Sequence, residues 1–246
     1  NLVLQECDYT NVNLGLEIAE FIDDFSIDGL IVTPPLSDMN EFLEHLNQTQ
    51  VEYSIIAPSN TSKVKSYVSS NDYEASYAMT NKIINKGHMN IGFIKGHHKH
   101  SASHLRFNGF ADALKDQGMS LNSEWVKEGD FSFDSGFSAG LELLKSHNKP
   151  SVIFASNDYM AAGVMKAAQM NGINIPLDLS LVGFDDSPLA AQLWPSLTTI
   201  RQPVEDMAYH AAKLLLGNID GLSEEMDSKE FISELILRES LINLID

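Results

Sequence analysis

Four polar side chains, Arg106, Asn157, Asp185 and Gln202, stand where extended runs give way to loops or helices. Together they make a donor and acceptor set. Arginine presents a planar fork of donors, an ionised aspartate only accepts, and asparagine and glutamine do both. A small ligand covered in hydroxyls, such as a sugar, needs that mixture, because each hydroxyl donates and accepts. Phe131 and Tyr159 are candidates to cover the apolar face of a ring ligand. A purely local reading competes: Asn157 and Asp158 have the residue types of a helix N-cap, and Asp185 those of a turn.

Other chemistries lack their parts. His97, His98, His100 and His104 crowd one loop, and the last two share the spacing of a helical face. A zinc-protease pattern needs a glutamate between them, and no carboxylate follows His104 within the next seven residues. The loop therefore reads as exposed or ligand-facing, not as a metal site. Gly136-Phe137-Ser138-Ala139-Gly140 has the G-x-S-x-G pattern, but a nucleophile elbow must follow a strand. Here Phe137, Leu141 and Leu144 mark an amphipathic helix. Asp185-Asp186 lacks a facing carboxylate, and no phosphate-binding glycine loop occurs. A binding protein is expected, with no enzymatic activity, cofactor or metal.

The elements that must hold the four residues alternate between strand and helix. Val152 to Ala155 reads as a buried strand, Asn157 caps a helix that stops at Asn171-Gly172, and Leu179 to Val182 is a second strand broken at Gly183. Pro195 to Ile200 is a third extended piece, and Arg201-Gln202-Pro203 opens a helix that ends at Gly217. Upstream, strands are expected at Leu2 to Leu4, Leu30 to Val32, Tyr53 to Ala57, Val64 to Val68, Asn90 to Ile94 and Trp125-Val126. Helices follow Leu14 to Phe25, Met39 to Leu46, Asp72 to Lys86, Leu105 to Leu114 and Phe137 to Leu144, with loops at Lys95 to Ser103, Glu128 to Phe133 and Leu189 to Ser196. A last strand is expected over Phe231 to Leu237. This alternation argues for an α/β fold with parallel sheets and helices on both faces. Arg106, Asn157, Asp185 and Gln202 then lie at or near the carboxyl ends of strands, where ligands bind in open α/β sheets.

The 246 residues carry a formal net charge of -18. Residues 1 to 70 hold two lysines and no arginine against eleven acidic residues, and the remainder is equally negative. Nucleic-acid affinity comes mostly from cationic groups on phosphates, so this sequence by itself is not expected to bind DNA. Cys7 is the single cysteine, which excludes an internal disulfide. No run of eighteen apolar residues suggests a membrane span, and the opening residues lack the basic region of a secretory signal.

Three segments carry a family resemblance: Phe154-Ala155-Ser156-Asn157-Asp158, Gly183-Phe184-Asp185-Asp186 and Leu197-Thr198-Thr199-Ile200-Arg201-Gln202-Pro203. In this order and spacing they resemble the effector-binding domain of the LacI/GalR family of transcription regulators. Arg106-x-x-Gly109-Phe110 and Glu128-Gly129-Asp130-Phe131 extend the likeness, which is weakest over residues 1 to 70. The resemblance implies a two-lobed fold similar to type I periplasmic binding proteins. Residues 1–69 plus 203–232 would form the N-terminal lobe, and 70–202 plus 233–246 the C-terminal lobe. A saccharide effector would lie between them, contacted by the matching Arg106, Asn157 and Asp185, with Ser103 counted among the candidates. It also implies a cytoplasmic homodimer, with Leu189, Leu193 and Trp194 in the contact, and an operator held by an N-terminal headpiece outside this sequence. The family's headpiece, hinge helix and first strand and helix have no counterpart here. The sequence is therefore expected to be part of a longer protein, whose N-terminal lobe without that interior strand would show an unpaired edge. The alternative is a periplasmic sugar-binding protein serving a transporter.

Overall fold

The computed structural model describes residues 2–9, 11–61, 64, 66–145, 148–221 and 227–245. The chain divides into two compact units, Asn1–Ser69 with Val204–Phe231, and Ser70–Pro203 with Ile232–Asp246.

The first unit contains α1 (Leu14–Phe25), β1 (Gly29–Val32), α2 (Asn40–Leu46), β2 (Glu52–Ile56), β3 (Tyr67–Ser70), and later in the chain α8 (Val204–Ile219) and β9 (Lys229–Phe231). Its sheet has the order β1-β2-β3-β9. The β1–β2 and β2–β3 pairs are parallel. Neighbours along β2 face opposite ways. Tyr53 and Ile55 pack with Leu14, Ile18, Phe42 and Leu46 of α1 and α2, while Ile56 joins Met207, Ala211 and Leu214 of α8. That alternation is the period-two rule of a strand covered on both faces.

The second unit contains α3 (Asp72–Asn85), β4 (Ile91–Ile94), α4 (Ser101–Asp116), β5 (Val126–Lys127), α5 (Phe133–Lys145), β6 (Val152–Ala155), α6 (Asp158–Met170), β7 (Ser180–Val182), α7 (Pro188–Gln192), β8 (Thr199–Arg201) and β10 (Glu234–Ile236). Its main sheet is β5-β4-β6-β7, parallel throughout, and β8 pairs antiparallel with β10. Val152 and Phe154 pack toward α3 and α4 with Met79, Phe93 and Phe110. Ile153 and Ala155 pack toward α5 and α6 with Leu143, Met160 and Val164. All four residues of β6 are fully buried, which is why the run reads as continuously apolar.

The structure corrects several expectations. Leu2 to Leu4 form no strand, and Leu2 and Leu4 are exposed, because no described strand pairs with them. β1 instead pairs with β2 and lies at the end of the sheet order. The extended piece at Val64 to Val68 begins at Tyr67, and Lys65 lies outside the described residues. Trp125 ends a 3-10 turn over Ser123–Trp125, ahead of the strand. α4 and α5 start at Ser101 and Phe133, inside the expected loops. The Leu189 to Ser196 stretch opens with α7, a short helix with proline at its start, where a missing N–H costs nothing. α8 runs through Gly217 to Ile219. The expected strand from Phe231 to Leu237 is two strands, since β9 and β10 belong to different sheets.

Candidate ligand-binding site

Arg106 is the centre of the polar cluster in the second unit. It sits on the buried face of α4, 5% exposed. A buried guanidinium is costly unless its N–H groups find acceptors. Its Nε donates to Asp72 Oδ2 at 2.9 Å, and its Nη1 donates to the Ser156 carbonyl at 2.6 Å. Nη1 also reaches Asp185 Oδ1 at 3.5 Å. Its plane lies over the Phe184 ring, 3.7 Å from the centroid. Among the described residues, Nη2 has no protein partner. One edge of the fork is thus spent on positioning, and one N–H pair is left over.

Asp72 was not singled out from sequence. It is the first residue of α3, and its Oδ1 accepts from Ser70 Oγ at 2.5 Å. Only its place directly after β3 could have marked it. Asp158, at the start of α6, is a second such residue. It is fully buried, with Oδ1 accepting from Thr199 Oγ1 at 2.6 Å and Oδ2 from the Ser187 N–H at 2.7 Å. Burial raises its pKa, partly offset by those hydrogen bonds.

These bonds hold the Gly183 to Ser187 turn, in which Asp185 (φ 113°) and Asp186 (φ 54°) both have left-handed backbones. Side chains rarely adopt that region, and such strain persists only where the surroundings enforce it. The Asp185 N–H donates to the Ile200 carbonyl at 2.7 Å. Asp186 is nearly buried and accepts from Arg201 Nε at 2.7 Å and Arg238 Nη2 at 2.6 Å. The turn therefore presents the Asp185 carboxylate with its side chain 31% exposed. Oδ1 accepts from Gln202 Nε2 at 2.6 Å. Loss of hydration raises the Asp185 pKa to about 6, against the downward pull of Arg106.

The structure thus brings Arg106, Asp185 and Gln202 into one network. Asn157 adjoins it in a more structural role. Its Oδ1 caps α6 through the Met160 N–H at 2.9 Å, and its Nδ2 donates to the Phe131 carbonyl at 2.9 Å. Phe131 itself has φ 72°. Its ring lies so close over Gly96 that a Cβ there would fall 2.0 Å from ring carbon Cζ, so a larger residue at this position would displace the ring. The ring centroid is 5.8 Å from the Arg106 guanidinium carbon. Ser103 is buried and donates to the Gly96 carbonyl at 2.9 Å, which fixes the start of α4. Tyr159 lies elsewhere. It is 53% exposed and lines an open depression with Met165, Ile175 and Trp194. One residue along the helix from buried Asp158, it is turned by a hundred degrees to the outside.

Ser138 lies inside α5, exposed, with no strand before it. No group of three or more His, Cys, Asp or Glu among the described residues could hold a metal ion.

Parallel sheets clad by helices define an α/β protein, and buried charge near strand ends lies where such folds bind ligands. A family model described as "Periplasmic binding protein-like domain" matches residues 80–241, and the chain belongs to that family; its curated relatives are LacI/GalR-type regulators, and it spans 61–65% of the length of three of them. It is 31% identical over 217 residues to the HTH-type transcriptional repressor PurR of Vibrio vulnificus, covering 87% of this chain and 64% of that protein. Among solved structures it is similar to a transcriptional regulator CelR–cellobiose complex, with TM-score 0.86 and 28% identity over 94% of this chain and 71% of that one. A LacI family regulator from Enterococcus faecium with bound ribose gives TM-score 0.83 and 25% identity, over 94% and 85%. These relatives are regulators with ligand-binding domains, not enzymes. No helix among the described residues is long and apolar enough to cross a membrane.

Proposed function

We propose that this chain is the ligand-sensing domain of a cytoplasmic LacI/GalR-type transcription repressor. It binds a sugar or sugar derivative at the strand ends of the second unit, and occupancy alters operator affinity. One observation carries this reading: a buried guanidinium, aimed by Asp72 and the Ser156 carbonyl, keeps Nη2 for a ligand beside the partly exposed Asp185 carboxylate. Donor and acceptor are fixed before the ligand arrives, which lowers the cost of binding. Asn157 and Gln202 complete the set, Phe131 supplies an apolar face, and Ser103 holds the loop. Tyr159 has no part in it.

The cellobiose and ribose named for the two structures support a saccharide. With its net charge of -18, the chain supports an operator contact made by another segment of a longer protein. The same relatives disfavour a transporter's periplasmic binding protein. The experiment is a thermal-shift screen against a carbohydrate panel, repeated with Arg106→Ala and Asp185→Ala. A ligand at a hundred times its Kd adds about 2.7 kcal/mol of stability. Both variants should stay folded and lose that gain; unchanged affinity in both would place the site elsewhere.

A further inference from the structure

Five side chains of the second unit close a ring of polar contacts that includes the ligand-facing carboxylate. Arg106 Nε donates to Asp72 Oδ2 at 2.9 Å, and Asp72 Oδ1 accepts from Ser70 Oγ at 2.5 Å. Ser70 Oγ lies 3.3 Å from Gln202 Oε1, and Gln202 Nε2 donates to Asp185 Oδ1 at 2.6 Å. Arg106 Nη1, 3.5 Å from the same Asp185 oxygen, completes the circuit. Protons are short at one point in this ring. The Ser70 hydroxyl has a single hydrogen and two acceptors within reach. The Asp72 carboxylate is nearer and charged, so it takes that hydrogen. Gln202 Oε1 then faces a serine oxygen with nothing to donate. Turning the amide over cures this, because Nε2 would donate to Ser70 Oγ while Oε1 moves to Asp185. Two oxygens then meet at Asp185 and need a proton between them, so the turned amide requires the carboxylic acid.

We infer that Ser70 is a positioning residue for the site: through the Gln202 amide, it ties the direction of the ring's hydrogen bonds to the protonation of Asp185. In one state Asp185 is ionised and accepts from Gln202. In the other it has taken a proton from water, and its O–H donates to Gln202 Oε1. The bonds then run one way, from Asp185 to Gln202 to Ser70 to Asp72, with Arg106 on Asp72 in both states. Loss of hydration brings the Asp185 pKa to about 6, so both states are populated around that pH. The charged groups that face Asp185 are Arg106 on α4, Asp72 on α3 and Asp158 on α6. Arg106 pulls the pKa down, and the two aspartates push it up. Asp186, beside it in the turn, is held by Arg201 and Arg238. For a ligand the two states differ at Asp185 Oδ2, which accepts no bond from the described residues. A hydroxyl donating there meets a charge in the first state and a neutral carbonyl in the second, and charge-assisted bonds are the stronger. On the sensor reading above, a sugar therefore favours the ionised state, expels the proton and binds less tightly as pH falls through about 6.

The test is nuclear magnetic resonance on the ligand-free chain, isotope-labelled at the aspartate carboxyls, with Asp185→Asn to identify the signal. Asp185 should titrate near pH 6 in the wild type. Ser70→Ala removes the acceptor for the turned amide, so it should lower that midpoint by about half to one pH unit, the worth of one net hydrogen bond. Ser70→Thr keeps the hydroxyl and should leave the midpoint where it was. A midpoint that stays put or rises in Ser70→Ala overturns the inference, because a serine that only donated to Gln202 would support the ionised form. A second readout needs no substitution at Ser70. In the wild type, Overhauser contacts from the Gln202 amide protons to the Ser70 β protons should be stronger at about pH 5 than at about pH 8. Equal contacts at both overturn the inference too, even if Ser70→Ala failed to fold. Neither measurement uses a ligand. A negative result therefore leaves the sensor reading standing, and a chain that bound no sugar would leave the ring as described.

Discussion

Two titratable groups in the second unit, partly buried Asp185 and buried His88, push stability in opposite directions as the solution is acidified. Asp185, with its pKa raised to about 6 from the ordinary 3.8, takes up a proton in the folded protein before the unfolded chain does. Between roughly pH 4 and 6 it therefore makes folding more favourable as pH falls, the reverse of a carboxylate whose pKa is depressed by folding. His88 is buried, with Nδ1 2.9 Å from Ser151 Oγ and Nε2 3.2 Å from the Ile242 carbonyl. Burial lowers its pKa below 6.5, so the unfolded chain protonates first. The stability that neutral His88 contributes is full above about pH 6.5 and lost below it. Urea midpoints between pH 7.5 and 5 should separate the two. Asp185→Asn should lose stability more steeply than wild type on acidification, and His88→Gln less steeply. Parallel curves for all three proteins would mean that neither group is perturbed as its burial implies.

At the scale of elements, the strands were readable and their partnerships were not. β4, β6 and β7 announce themselves because both faces are covered, which leaves runs such as Val152 to Ala155 without a polar residue. The α6 start was equally plain, since asparagine before Asp158 is an N-cap pattern, and Asn157 makes that bond. Asp72 was hidden because its partner Arg106 is 34 positions away and reaches it only through α3–α4 packing. Tyr159 lies apart from the Arg106 network, because residue type says nothing of which way a helix is turned. Leu2 to Leu4 have strand composition, but a strand exists only with a neighbour. Asn157 gives the sharpest test of an element's role in the site. Asn157→Ala should cost about 1 kcal/mol from the cap and weaken ligand binding by freeing the Phe131 loop. Asn157→Asp should keep the cap and lose only the loop bond, so chemical denaturation would separate the variants while calorimetry would not. The α5–α6 contact depends on Gly163, where a Cβ would fall 2.3 Å from the Phe133 carbonyl oxygen. Gly163→Ala should destabilise by about 1–3 kcal/mol, as overpacking does.

For the whole molecule, the most exposed aromatic side chain of the second unit, Trp194, lies at a depression that the Arg106 network does not line. Trp194 is 86% exposed, and with Leu189, Leu193, Ile175 and Tyr159 it lines an open depression of about 1130 Å³. A tryptophan that exposed is unusual on a surface meant for water, and large apolar patches mark interaction faces. Lys166 and Glu239 lie at the same depression, one of each sign. A two-fold contact sets the same patch against itself, so a surface carrying both charges can pair them across the axis. The net charge of -18 opposes such pairing at long range, and salt screens that repulsion while leaving apolar burial intact. Self-association through this face should therefore strengthen between 20 and 300 mM salt. Sedimentation equilibrium should show a dimer that Trp194→Glu converts to monomer, with circular dichroism and the response to ligand unchanged. A wild-type chain that stays monomeric at high salt and high concentration would remove this face from the assembly, without touching the site around Arg106.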